Sequence, residues 1–268
     1  MADIDRRFGR QAFGDDPANY DASRPPYPEW VFDTLRERCG LRPGAAVFEA
    51  GAGTGKATRP LLAAGADPLV AIEPDARLAG FLRASTPSLA LEVRVEPFED
   101  AELPAAAFDL GVCATAFHWL DEQAALAKVA DALKPRGWWA MVWNLFGDPD
   151  RADPFHDATD ELLNDGPRTP SHGGSAGDRI ALNHNARLSG FGRNGRFEAI
   201  SNEARSWDLV LDPDQVVSLY STYSDMTARP PDERRTVLAE LRRIAAAPPF
   251  DGRVVRNMIT TLWTARRR

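Results

Sequence analysis

The residues of this chain that could do chemistry gather first between Ala46 and Lys56, in the run AVFEAGAGTGK. Ala46, Val47 and Phe48 form a short apolar stretch suited to a strand buried on both faces. Glu49 places a carboxylate at the strand's end. Gly51, Gly53 and Gly55 follow at alternate positions, ahead of a helix expected over Lys56–Ala64. Glycines there let the backbone turn sharply and admit a ligand close to the main chain. Beyond them, the free amides of a helix N-terminus can receive a polar or anionic group. An ordinary tight connection between strand and helix uses glycines too, so the turn alone leaves its ligand open.

Two familiar phosphate-binding patterns do not fit. A P-loop ending at Gly55-Lys56 needs a glycine at Ala50 and a hydroxyl at Ala57, and both positions are alanine. The dinucleotide fingerprint needs a third glycine at Lys56 or Thr58. What remains, Glu49-x-Gly51-x-Gly53-x-Gly55, resembles motif I of the class I S-adenosylmethionine-dependent methyltransferases.

Three later stretches bear on that resemblance. Glu73-Pro74-Asp75 closes an expected strand Leu69–Ile72, with Glu73 18 residues beyond Gly55. An acid at that place can accept hydrogen bonds from ribose hydroxyls. The run Glu96-Pro97-Phe98-Glu99-Asp100 resembles the family's acidic loop against the adenine, which implies Phe98 packing on the ring and Glu99 accepting from its amine. Read without the family, three acids in five residues make a solvated turn. The third stretch, Thr115-Ala116-Phe117-His118-Trp119-Leu120-Asp121 after Ala114, resembles the fourth-strand loop of the branch acting on small metabolites. His118 invites a base's role because histidine titrates near neutrality. A place in the loop or the pocket wall is the reading preferred here, and no catalytic residue is assigned beyond this candidate. In the N-terminal arm, Tyr20-x3-Arg24-Pro25-x-Tyr27-Pro28 resembles the segment that folds over the cofactor in many small-molecule methyltransferases. A plain surface arm is the alternative. The implied cofactor set is Glu49, Gly51, Ala52, Gly53, Gly55, Glu73, Pro74, Phe98, Glu99, Ala114, Phe117 and His118. Tyr20, Arg24, Tyr27 and Asn144 form the implied lid and acceptor set.

The elements that must position these residues follow from periodicity. Helices are expected from Pro28 to about Cys39 and over Arg77–Ser85 and Glu122–Leu133, the last capped by Asp121. Strands are expected at Leu91–Val95, Phe108–Ala114 and Trp138–Trp143. Strands alternating with helices define an α/β fold, a doubly wound and mostly parallel sheet with its ligand at the carboxyl ends of strands one, two and four. The expected division is an arm and helix over 1–40, a cofactor-binding core over 41–144, a variable lid insertion over 145–195, and a C-terminal part over 196–268. The insertion carries a helix at Asp153–Leu163 and the polar run GPRTPSHGGSAGDR, which reads as a lid or mobile loop. The C-terminal part carries a strand at Arg196–Trp207, helices at Pro213–Tyr223 and Pro231–Ala247, and a last strand at Arg253–Leu262.

Composition narrows the classes. The 268 residues are 44% hydrophobic and 26% charged, as in an ordinary globular protein. A net charge of −7 argues against non-specific nucleic-acid binding, which needs a cationic surface. Cys39 and Cys113 have no metal-ligand spacing, and His156, His172 and His184 have none either, so no metal is expected. There is no apolar run of membrane-spanning length, and the expectation is a cytoplasmic protein without membrane partners. The resemblance implies S-adenosylmethionine as cofactor and methyl transfer by in-line displacement to a small-molecule acceptor, which the arm's aromatic residues suggest is apolar or aromatic. The alternatives are a protein of the same fold that binds S-adenosylmethionine but catalyses a cyclisation or decarboxylation, and a nicotinamide-dependent oxidoreductase.

Overall fold

The computed structural model describes residues 13–163 and 181–268. His172 and the polar run at 166–179 lie outside them.

The central strands form where apolar residues run without interruption. β1 (Val47–Ala50) and β2 (Leu69–Ile72) are buried along their whole length, as parallel strands covered on both faces require. β3 (Leu91–Arg94) lies outside β2, and β4 (Phe108–Ala114) pairs with β1 on its other side. Glu49 therefore lies within β1 rather than at its end. β5 (Leu133–Phe146) is longer than the expected Trp138–Trp143 and pairs parallel with β4. Two long strands, β6 (Phe197–Leu211) and β7 (Val254–Arg267), complete a seven-stranded sheet in the order β3-β2-β1-β4-β5-β7-β6. β7 runs antiparallel to both neighbours, which closes the otherwise parallel sheet. The strand order reverses between β1 and β4, and the crevice outside their carboxyl ends is where such sheets bind ligands.

Helices cover both faces. α2 (Glu29–Arg38), α3 (Thr58–Ala63) and α4 (Ala76–Ser85) pack Leu35, Leu61 and Leu82 against Val47 and Leu69. α5 (Glu122–Ala132) packs Leu126 and Val129 on the other face, with Phe48 and Trp139. Aspartates start two of these helices, α4 and α5: Asp75 accepts from the Arg77 amide and Asp121 from the Ala124 amide. α7 (His184–Asn194), in the second part of the expected insertion, lies on the α5 face; Arg187 pairs with Glu122 at 3.0 Å, and Gln123 donates to the Gly190 carbonyl.

A third apolar cluster joins α6 (Pro154–Leu163), α8 (Pro213–Ser221) and α10 (Pro231–Ala246) to the start of β7. The short α9 (Ser224–Thr227) adds Met226. The arm's α1 (Pro17–Ser23) buries no residue of its own. It is held by polar contacts, Asn19 donating to the Ser218 carbonyl and Asp21 pairing with Arg59 at 2.7 Å.

Candidate active site

Leaving β1, the chain turns through Gly51 and Gly53 at φ +73° and +57°, a region that favours glycine. A β-carbon at Gly51 would stand 2.5 Å from that of Ala116, so the turn and the loop after β4 are pressed together. A β-carbon at Gly53 would meet nothing within 4 Å, which leaves its backbone open to a ligand.

Two buried carboxylates flank this turn. Glu73 accepts from the Gly53 amide at 2.8 Å and from the Asp75 amide at 2.9 Å. Burial outweighs those two bonds and pushes its carboxyl up to about 7. Glu49 accepts from the Thr58 hydroxyl at 2.6 Å through one oxygen, while its other oxygen, Oε1, is buried without a hydrogen-bond partner. Burial pushes the Glu49 carboxyl up to about 8, against the lowering effect of Thr58. A buried polar atom without a partner is costly, and here it marks a place for a donor.

Two cavities meet at the turn. The first is walled by Tyr20, Glu73, Pro74, Phe98, Glu99 and Trp119, among others. The second is walled by Arg24, Tyr27, Glu49, Lys56, Asn144 and Met258, among others. Tyr20, Gly51, Gly53, Ala114 and Thr115 belong to both walls. Thr115 holds φ +53°, unusual for a β-branched residue, and its hydroxyl lies 2.8 Å from that of Tyr27. Burial pushes the Tyr27 phenol well above its usual range, so at neutral pH it acts as a neutral hydroxyl.

Most residues expected at a site are thus together. Ala52 lines the second cavity, and Phe98 reaches the first while its ring stacks on Phe48 in the core, centroids 6.0 Å apart. Arg24 stacks over Tyr223 at 4.2 Å and donates to the hydroxyl and carbonyl of Thr222, tying the arm to the turn after α8. Asn144 accepts from Thr260 at 2.6 Å and donates to the Pro26 carbonyl at 3.1 Å. Gly55, Phe117 and His118 are not on either wall. Phe117 is a core residue near Trp139 and Trp143. His118 accepts from the Trp143 indole at 3.4 Å through Nδ1, and its ring lies 5.0 Å from that of Trp119. Lys56, Thr115 and Met258 are wall residues that the sequence reading did not select. Lys56 had served there only to exclude other fingerprints, although its place beside the glycines was a signal. No group of three or more potential metal ligands occurs among the described residues.

Fold and site define an α/β protein with two adjoining cavities at the carboxyl ends of its central strands. Residues 48–141, from β1 into β5, match the family of methyltransferase domains. An uncharacterised methyltransferase of Schizosaccharomyces pombe is 28% identical over 57% of this chain and 59% of its own length. An uncharacterised methyltransferase of Mycobacterium bovis is 28% identical over 91% of this chain and 89% of its own. A solved structure from Anaeromyxobacter dehalogenans, assigned as a type II methyltransferase, superposes with a TM-score of 0.63 at 21% identity, over 91% of this chain and 97% of that one. Residues 48–141 thus form a methyltransferase domain, and the chain is similar to methyltransferases over most of its length. The nicotinamide alternative falls with that assignment.

Proposed function

We propose that this methyltransferase binds S-adenosylmethionine across the two cavities and methylates a small molecule held in the second. The observation that carries this reading is the shared wall at Tyr20, Gly51, Gly53, Ala114 and Thr115. A donor on one side and an acceptor on the other would meet there.

The residues suit the cofactor. Glu73 presents acceptors to ribose hydroxyls, Pro74, Phe98 and Glu99 surround a place for adenine, and the open face of Gly53 admits the ligand's backbone-hugging portion. The unpartnered Oε1 of Glu49 can accept from the cofactor's ammonium group. When bound, the cofactor would supply a sulfonium methyl already activated for in-line displacement by the acceptor. The chain's own work is positioning and exclusion of water, with Tyr27 and Thr115 supplying neutral hydroxyls beside the junction. No base is required where the acceptor is already a nucleophile, and the place of His118 off both walls agrees with that.

The test is incubation with methyl-labelled S-adenosylmethionine and a panel of small acids, phenols and amines, alongside calorimetry with S-adenosylhomocysteine. Labelled product and a measurable dissociation constant are expected. Binding without any transferred label would favour the cyclisation or decarboxylation reading.

A further inference from the structure

The second cavity holds positive charge that its surroundings do not balance. Lys56 lines it and is half buried, with no hydrogen bond or ion pair to any described residue. Arg24, on the same wall, spends its donors on the neutral oxygens of Thr222 and forms no ion pair among the described residues. The carboxylate that acts most on Lys56 is Asp21, which is already joined to Arg59 at 2.7 Å. Among the described residues the one carboxyl on the wall is Glu49, whose burial favours its neutral form. Burial likewise pulls the Lys56 ammonium below its usual range, against the raising effect of Asp21 and with Arg59 and Arg24 adding to the lowering.

The cofactor of the preceding reading, on which this inference rests, would not repair the imbalance. Its ammonium and carboxylate cancel, and its sulfonium adds one more positive charge. Even with Glu49 ionised against that ammonium, Lys56, Arg24 and the sulfonium outnumber a single carboxylate. This holds whichever cation meets the cofactor's own carboxylate. Cations removed from water without a partner are costly, so the missing charge must come with the other ligand.

We propose that the acceptor is an anionic small molecule, bearing a carboxylate or a phosphate, whose charge Lys56 and Arg24 meet. Tyr27 and Asn144 add neutral polar groups to the same wall. Such an acceptor differs from the apolar one suggested by the aromatic residues of the arm.

Calorimetry on the full chain tests this in separable arms. Titration with S-adenosylhomocysteine comes first; absence of binding there would sink the cofactor reading, whatever the acceptor. The saturated protein is then titrated with succinate, phosphoglycolate, phenol and benzylamine at one fixed ionic strength. At least one of the two acids is expected to bind, and which one separates carboxylate from phosphate; phenol and benzylamine are expected not to bind. Lys56→Met should weaken the acid by about tenfold or more while Lys56→Arg retains it, as loss of a charge-assisted contact predicts. Three results overturn the proposal. In the first, neither acid binds. In the second, phenol or benzylamine binds in their place. In the third, Lys56→Met weakens S-adenosylhomocysteine and leaves the acid's affinity unchanged, which would assign the charge to the cofactor.

Discussion

The carboxylate of Glu73 receives the backbone amide of Gly53 at 2.8 Å, joining the end of β2 to the glycine turn that follows β1. An acid proposed to hold the cofactor therefore also holds the glycine turn. Glu73→Ala should weaken S-adenosylhomocysteine by on the order of 1–3 kcal/mol, the range for hydrogen bonds to charged groups. It should also lower the melting temperature, because two amides lose their acceptor. Calorimetry and thermal melts on the same preparation check both. A variant with unchanged affinity and unchanged melting would show that the turn is fixed by its glycines alone.

Glu49 gives stability a pH dependence of definite sign. Its carboxyl is raised from 4.5 to about 8 in the folded chain, and that of Glu73 from 4.5 to about 7. Between those limits the folded state binds more protons than the unfolded one, so stability must fall as pH rises. The contribution is complete below 4.5 and gone above about 8. Urea melts of the ligand-free protein across that window should show the decline, and Glu49→Gln should flatten its upper part. A Glu49→Gln profile identical to wild type would mean that this carboxyl is ionised throughout.

The sequence disclosed the cofactor half of the molecule more fully than the acceptor half, and the reasons are physical. β2 and β4 were readable to the residue because strands buried on both faces leave continuous apolar runs. Asp121 and the end of α5 were readable from capping chemistry. α1 was not, since PANYDAS buries nothing and its helix is held by Asp16 and by contacts to α8 nearly 200 positions away. α7 was missed for a related reason: its sequence HNARLSGFGRN is polar and glycine-rich, and it buries Arg187, Gly190 and Phe191 without a clear stripe. Likewise the second cavity draws Arg24, Lys56, Asn144 and Met258 from four distant stretches, and only the sheet brings them to one wall.

Asp153 and Arg256 form an ion pair at 2.9 Å with both side chains almost fully buried. Arg256 also donates to the Tyr220 hydroxyl and stacks 4.8 Å from the Phe146 ring, which lines the second cavity. Breaking a buried pair by removing one partner costs about 3–5 kcal/mol, because the other charge stays behind uncompensated. Asp153→Ala should therefore destabilise the chain by that amount in urea melts. In the fraction that remains folded, affinity for S-adenosylhomocysteine should change little, since Asp153 touches neither wall. A loss below about 1 kcal/mol would mean that Arg256 finds another partner or water.

His118 decides whether this enzyme uses a titrating base. The sequence places it in the loop after β4, where a base would have to stand. The structure leaves it off both cavity walls, with Nδ1 accepting from the Trp143 indole and its ring against Trp119. Trp119 lines the first cavity, the proposed cofactor side, so loss of the imidazole should disturb that cavity more than the second. For His118→Ala, turnover and cofactor affinity should fall together and modestly, with no change in the shape of the pH–rate profile. A general base would behave otherwise: its removal would cut turnover by about 10²–10⁴-fold at nearly constant cofactor affinity, and the loss would erase a limb of the profile in the histidine range. Steady-state kinetics from pH 5 to 9, paired with calorimetry, separate the two outcomes. A hundredfold loss of turnover at constant affinity, partly restored by added imidazole, would return His118 to the catalytic set.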